Sequence, residues 1–186
     1  DFDGCDDNLE DTDIDGDLVL NHEDLCPNGA QYWNTFSTDY DGDGCRDMDE
    51  DDNDDNDPYL DVYDDCPTGV IGWTGAAYDH DSDGCQDHEE DLDDDNDGVL
   101  DRQDSCPYGM LDWTSNSISD QDGDGCNDVY EDADVDDDGV FDIEDSCISG
   151  KFGWESTPLN DWDGDGCHDA EEDQDDDNDG FLDSED

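Results

Sequence analysis

The sequence predicts an irregular, elongated repeat array with little regular secondary structure, held together by crosslinks between loops. Three observations predict this fold class. Nine cysteines recur at spacings of 19 to 21 residues, so the repeat is about 40 residues long and holds two cysteines. Acidic residues, 67 of the 186, recur in register with glycine. Apolar residues make up only 30% of the chain, which is too few for one large core.

Each repeat has three parts: a turn-rich corner that begins with a cysteine, then two acidic loops separated by two residues. The corner begins with Cys-Pro-x-Gly in three units and with Cys-Ile-Ser-Gly in the fourth. Its tryptophan is expected to be a packing residue that covers a disulfide, rather than a sugar-stacking platform. These tryptophans are Trp33, Trp73, Trp113 and Trp154. The predicted units are 1–25 (partial), 26–65, 66–105, 106–146 and 147–186.

The first acidic loop of each unit, here called the cysteine loop, has the spacing of an EF-hand calcium loop. In Asp79–Glu90, acids stand at positions 1, 3, 5 and 9, glycine at 6, cysteine at 7 and glutamate at 12. Ca²⁺ takes six to eight oxygen ligands, and this spacing supplies them from carboxylates and the position-7 carbonyl. The predicted ligands are Asp39, Asp41, Asp43, Cys45, Asp47 and Glu50; Asp79, Asp81, Asp83, Cys85, Asp87 and Glu90; Asp120, Asp122, Asp124, Cys126, Asp128 and Glu131; Asp161, Asp163, Asp165, Cys167, Asp169 and Glu172.

The chain opens inside a fifth cysteine loop, whose position 1 would precede the first residue. We therefore expect the chain to be a section of a longer array. The ligands predicted in this partial loop are Asp1, Asp3, Cys5, Asp7 and Glu10.

The second acidic loop, here called the leucine loop, ends in Asp at position 12 and has an apolar residue at position 8. We expect that apolar residue to pack on a neighbouring loop. Leu18 and Pro58 replace the bend glycine in two of these loops. The predicted ligands are Asp13, Asp15, Asp17, Val19, Asn21 and Asp24; Asn53, Asp55, Asp57, Tyr59, Asp61 and Asp64; Asp93, Asp95, Asp97, Val99, Asp101 and Asp104; Asp134, Asp136, Asp138, Val140, Asp142 and Asp145; Asp175, Asp177, Asp179, Phe181, Asp183 and Asp186.

Only two residues separate the loops of a pair, so no helix pair can flank each loop as in a true EF-hand. The predicted fold is a calcium- and disulfide-stabilised rod or solenoid of EF-hand-like loops. We expect nine or more Ca²⁺ ions, because nine would reduce the formal charge of −64 only to −46. The acids between paired loops are either further ligands or solvated surface residues; they are Asp11, Asp51, Asp91, Asp132 and Asp173.

Cysteine spacing leaves two disulfide pairings open. One pairing joins each corner to the next cysteine loop: Cys26–Cys45, Cys66–Cys85, Cys106–Cys126 and Cys147–Cys167. The other pairing is Cys5–Cys26, Cys45–Cys66, Cys85–Cys106 and Cys126–Cys147. We favour the first because it closes the only segment that has no metal ligands of its own. Disulfides indicate an oxidising compartment, and we expect the protein to be secreted or at the cell surface.

The run from Asp93 to Pro107 and the Asp-Gly-Asp-Gly-Cys segments share one register of Asp, Gly and Cys. In these elements, and over nearly its whole length, the chain resembles the thrombospondin type 3 repeat family. The resemblance implies an extracellular array wrapped around a line of Ca²⁺ ions, with disulfides in the first pairing. The corner here is longer and holds Gly69 and Trp73 where animal thrombospondins have an Asn- and Gln-bearing spacer. This departure argues against animal matrix partners, and a microbial surface protein fits equally well.

Composition argues against several function classes. With three Lys or Arg residues, the chain has no cationic patch for nucleic acid, and no apolar run is long enough for direct membrane insertion. Paired carboxylates recur in every unit, so no single pair is marked as catalytic and no enzyme is expected. The Ser and Thr residues near the tryptophans are candidate attachment sites for O-glycans.

The sequence therefore indicates a structural protein: a calcium-stiffened stalk, spacer or filament subunit involved in adhesion, able to self-associate end to end into a fibre. The alternative is an acidic calcium buffer or mineral-nucleating protein. The regular disulfides favour the structural class, since a buffer needs none. Without calcium, the composition is that of a disordered chain.

Overall fold

A computed structural model gives the fold and describes residues 11–31, 33, 35–75 and 77–185. Within these ranges, regular secondary structure is confined to one helical turn, α1 (Thr35–Thr38), and one 3-10 turn, Asp61–Tyr63, and no strand occurs. The prediction of an irregular chain with little secondary structure is confirmed. The predicted ligands that lie outside the described residues are Asp1, Asp3, Cys5, Asp7, Glu10 and Asp186.

The chain divides into two compact units, Asp1–Asp91 and Leu92–Asp186. Their boundary falls between a cysteine loop and the leucine loop after it, inside the sequence unit 66–105. Within each compact unit, a leucine loop packs with the corner and the cysteine loop that follow it. We call this group of three a packed repeat. The packed repeats are 13–50 and 53–90 in the first compact unit, and 93–131 and 134–172 in the second.

Each acidic loop is closed by two hydrogen bonds at its position 9. In the loop 53–64, the amide of Asp61 donates to the carbonyl of Asp52 at 3.0 Å, and its Oδ1 accepts the amide of Asp54 at 2.9 Å. The same two bonds recur in the other eight loops that the structure describes. Position 9 was predicted from the sequence as a ligand, and these two hydrogen bonds give it a structural role as well.

In every described loop except 53–64, the bend directs backbone amides at the carboxylate of position 1. Leu18, which replaces the bend glycine, has φ 86° and still donates to Asp13 Oδ2 at 3.2 Å. Pro58 has no amide hydrogen to donate. In that loop position 1 is Asn53, whose Nδ2 donates instead to the carbonyl of Asp57 at 3.0 Å. The two departures from the sequence pattern are therefore accommodated without loss of the bend.

Four disulfides join each corner to the next cysteine loop: Cys26–Cys45, Cys66–Cys85, Cys106–Cys126 and Cys147–Cys167. The structure thus contains the first of the two pairings that the spacing allowed. Each bridge closes a segment of 19 or 20 residues. Such a loop contributes about 3 kcal/mol in the chain-entropy model.

Carboxylates fill the interior of the protein. Among the described residues, sixteen Asp side chains are buried, against six apolar side chains, four of which are disulfide cysteines. The remaining two are Trp73 and Val135. The prediction that position 8 of the leucine loop packs on a neighbour is wrong at Leu20, Leu60, Phe141 and Leu182, which are 42 to 60% exposed. In the four packed repeats the acids at positions 3 and 5 are buried, whereas position 8 is exposed except at Leu100, which is half-buried.

Candidate metal centres

Three carboxylates of each leucine loop, at positions 3, 5 and 12, form what we call the inner cluster. In the loop 53–64 these are Asp55, Asp57 and Asp64, with one oxygen of each lying within 4.8 Å of the others. All three are at most 7% exposed. The corresponding residues of the other packed repeats are Asp15, Asp17 and Asp24; Asp95, Asp97 and Asp104; Asp136, Asp138 and Asp145. All of these are buried except Asp104, which is half-buried.

The inner cluster is electrostatically unfavourable as it stands. Burial, together with neighbouring carboxylates, raises the pKa of Asp57, Asp64, Asp97 and Asp136 to about 6 in each case. Protein cations do not relieve this charge within the described part of the chain. The Arg and Lys ion pairs found there, Arg46 with Asp49 and Lys151 with Glu171, join side chains of the cysteine loops and corners outside the inner clusters.

Each inner cluster also contains buried carboxylate oxygens that accept no hydrogen bond from any described residue. They are Oδ1 of Asp15 and Asp136, and Oδ2 of Asp17, Asp24, Asp57, Asp64, Asp97, Asp138 and Asp145. A buried charged oxygen without a partner costs several kcal/mol, so native proteins pair such atoms. A cation held between these oxygens would be such a partner.

Backbone amides of the corner fix the other oxygens of the inner cluster. The corner glycine donates to position 3: Gly69 donates to Asp55 Oδ2 at 2.8 Å. The corner cysteine donates to position 12: Cys66 donates to Asp64 Oδ1 at 2.6 Å. Both bonds recur in the other three packed repeats, with distances of 2.6 to 2.9 Å. The disulfide-bonded corner therefore orients two of the three carboxylates.

The cysteine loops bring together the acids at positions 1, 3 and 5, as predicted from their spacing. One oxygen each of Asp39, Asp41 and Asp43 lies within 4.8 Å of the others, and the loop at Asp79 has the same arrangement. Position 1 is the buried member: Asp79 is 1% exposed. The position-7 residue directs its amide to position 5, as Cys45 does to Asp43 at 2.8 Å. The position-7 carbonyl is the further donor that the sequence predicts.

The glutamate at position 12 of the cysteine loop lies against the corner of its own unit. Glu50 Oε1 accepts the amide of Ala30 at 2.6 Å. Glu50 also lines a cleft with Cys26 and Gly29, and Glu131 lines the equivalent cleft with Gly109. Glu90 Oε1 accepts the amide of Gln86 within its own loop at 3.0 Å. The glutamate therefore lies between its own loop and the corner.

The acids between paired loops are not simply solvated. Asp11, Asp51, Asp132 and Asp173 each accept the amide at position 1 of the following loop, at 2.9 to 3.0 Å. The second oxygen of each is buried without a hydrogen-bond partner among the described residues. Of the two readings left open by the sequence, this arrangement favours further ligands.

Sequence reasoning missed three of the side chains that touch the acidic loops. Asn56, which has φ 57°, donates through Nδ2 to Asp41 and, at 3.3 Å, to Asp43 of the preceding cysteine loop. Asn178 makes the same pair of contacts one compact unit later. Ser115 donates its hydroxyl to Asp120. The position of Asn after a leucine-loop acid was visible in the sequence, but it carries no signal of a contact 15 residues away.

The donor set fits calcium. The converging atoms are carboxylate oxygens, with amide and carbonyl oxygens as the further candidates, and hard cations with six to eight ligands prefer these donors. Zinc and other softer metals prefer thiolate or imidazole. The eight described cysteines at the corners and loops are in disulfides, and His168 packs its ring on Trp154 at a centroid distance of 4.8 Å.

No protein-family model matches the chain, and no curated protein matches it. In the part of the chain that the structure describes, no helix has the length and apolar character needed to cross a membrane.

Proposed function

We propose that this protein is an extracellular structural repeat protein that folds around calcium ions and serves as a stalk, spacer or filament subunit. The proposal includes an evolutionary relation to thrombospondin type 3 repeats, on the strength of the acid, glycine and cysteine register. It also includes nine or more bound ions and an elongated array. Four disulfides support the oxidising location, because such bridges persist outside the cytosol.

The observation that carries the proposal is the recurrence of buried, unpartnered carboxylates at equivalent positions of four packed repeats. At position 5, Asp17, Asp57, Asp97 and Asp138 are at most 7% exposed, and each has an Oδ2 without a hydrogen-bond partner among the described residues. Charges buried in this way require compensation by counter-ions if the fold is to be stable. A calcium buffer needs many binding sites, but it does not need acids that are buried at equivalent positions in every repeat.

Calcium titration of the oxidised chain, with small-angle scattering and circular dichroism, tests this proposal. We expect nine or more ions to bind, with affinities of about 10⁻⁴ to 10⁻³ M as in other extracellular modules. We also expect the scattering to change from that of an expanded coil to that of a stiff, extended particle, and chelator to reverse the change. Ion binding without any change in dimensions would instead assign the protein to the buffer class.

A further inference from the structure

In each packed repeat, two further acids of the cysteine loop approach the inner cluster of the leucine loop. Burial raises the pKa of Asp57, and the neighbouring carboxylates that raise it further are those of Asp55, Asp79 and Glu90. For Asp138, they include Asp161 and Glu172. In the remaining two repeats, the aspartate at position 1 of the following cysteine loop likewise contributes to raising the pKa of the aspartate at position 5 of the leucine loop. Acids 22 to 34 residues apart in the sequence therefore face one another.

The corner glycine is the point at which these two loops meet. A methyl group placed on Gly109 would lie 2.7 Å from Oδ2 of Asp95 and 3.0 Å from Oε1 of Glu131. At Gly69, the same methyl group would overlap the carboxylate of Glu90. The four corner glycines, Gly29, Gly69, Gly109 and Gly150, have no positive φ, so their backbone conformation does not demand glycine. What demands glycine is the space that a side chain would fill: the glutamate carboxylate occupies it at Gly69, and at the other three glycines the glutamate shares it with the carbonyl of the corner cysteine at 2.8 to 2.9 Å.

We infer that each of these four leucine loops shares a calcium ion with the cysteine loop that follows it across the disulfide-closed corner. The leucine loop supplies its inner cluster, and the cysteine loop supplies its position-1 aspartate and position-12 glutamate. The corner glycine admits the glutamate to the shared site. This inference rests on the proposed calcium-dependent function and adds to it that one ion links two loops of distant sequence.

Counting bound ions in single and double variants tests whether the site is shared. The variants are Asp57→Asn, Glu90→Gln and the double variant, in the full oxidised chain. Bound calcium is measured by elemental analysis after dialysis at a free calcium concentration that just saturates the wild-type chain. The control is Glu89→Gln, because Glu89 is exposed and adjacent to Glu90. We expect the control to keep the wild-type count.

If one ion is shared, each single variant loses one ion, and the double variant loses no more than either single variant. If Asp57 and Glu90 hold different ions, the double variant loses the sum of the two losses, and the inference is overturned. A wild-type chain that binds no calcium would instead overturn the proposed function. The two failures are therefore distinguishable.

Gly69→Ala provides a second test that leaves every carboxylate in place. We expect this variant to lose the same single ion, because its methyl group displaces Glu90 from the shared site. Thr68→Ala, at an exposed position of the same corner, is the matched control and should keep the full count. Unchanged calcium binding by Gly69→Ala would contradict the role assigned to the glycine. Near-UV circular dichroism with calcium present checks that both variants fold.

Discussion

Ser115 donates its hydroxyl proton to Oδ2 of Asp120, the first acid of the next cysteine loop. Asp120 is 2% exposed, and the same oxygen also accepts the amide of Gly125 at 3.2 Å. In the packed repeat 53–90, Gly75 occupies the place of this serine two residues after the tryptophan. There, Oδ2 of Asp79 is buried without a hydrogen-bond partner among the described residues. The serine thus adds a second hydrogen bond to this oxygen of Asp120, a bond that the glycine at the equivalent position cannot make to Asp79.

Ser115→Ala is expected to destabilise the protein by about 1 to 2 kcal/mol, because it removes a hydrogen bond to a buried carboxylate. Urea unfolding of the oxidised chain at fixed calcium measures the loss. Ser117→Ala, at an exposed position of the same segment, should change the free energy of unfolding little. Equal stability of the two variants would show that the Ser115 hydroxyl contributes nothing.

The metal-free chain should become less stable as the pH rises from about 4 to 7. Burial, then the acids around them, raise the pKa of Asp57 and Asp97 to about 6 from an ordinary 3.8. A raised pKa in the folded state means that folding takes up protons. This contribution is complete below pH 3.8 and is lost as the pH rises through 6. The folded fraction in chelator, measured by near-UV circular dichroism from pH 4 to 7, checks the direction.

Calcium should reverse that pH dependence, since calcium and protons compete for the same oxygens. Calcium affinity is therefore expected to increase as the pH rises through about 6, the pKa of Asp57. Asp57→Asn, which cannot titrate at this position, should show a weaker pH dependence in chelator. A folded fraction that rises with pH in chelator would contradict the burial of these acids in the folded chain.

Removing the disulfide in Cys106→Ala/Cys126→Ala should destabilise the protein by about 3 kcal/mol through the lost loop constraint. Calcium affinity of the leucine loop 93–104 should fall as well, because the amide of Cys106 holds Asp104 Oδ1 at 2.6 Å. Chemical unfolding and calorimetric titration measure the two effects. The exposed neighbour variant Ser105→Ala should retain both properties. Unchanged calcium affinity in the double variant would show that the disulfide does not contribute to calcium binding by this loop.

Asn56 allows its backbone and side-chain contributions to be separated. Asn56→Gly keeps the left-handed backbone at φ 57° but removes the amide that contacts Asp41 and Asp43. We expect a loss of about 1 kcal/mol for the amide contacts. Asn56→Ala should lose roughly a further 1 kcal/mol, because alanine resists the left-handed conformation. Unfolding curves of the two variants give both differences, and a glycine variant as stable as the wild type would exclude the amide contribution.

The local part of this fold was predictable from the sequence. The 12-residue spacing from Asp79 to Glu90 placed positions 1, 3 and 5 of the loop together, because ligand spacing and bend glycine act within one loop. Low apolar content and short connections predicted the absence of extended helices. The position-8 packing failed at Leu20 because sequence patterning assumes an apolar interior, whereas carboxylates fill this one.

Contacts between loops were not predictable from the same pattern. Gly69 lies 14 residues after Asp55, and the equivalent glycine keeps this offset in each packed repeat. That regularity was visible, but the sequence alone could not tell a turn glycine from one required for close approach. Glu90 was assigned only to its own loop, because spacing does not reveal which distant segment folds against a side chain.

The most direct test of calcium-dependent folding is amide hydrogen exchange of the oxidised chain with calcium, with magnesium and with chelator. The amides of Gly69, Gly109 and Gly150 report on the inner clusters, because each donates to a position-3 carboxylate at 2.7 to 2.9 Å. We predict strong protection of these amides in calcium, little in magnesium, and exchange near that of an unfolded chain in chelator. Equal protection in calcium and chelator would show that the buried carboxylates need no metal, and would contradict calcium-dependent folding.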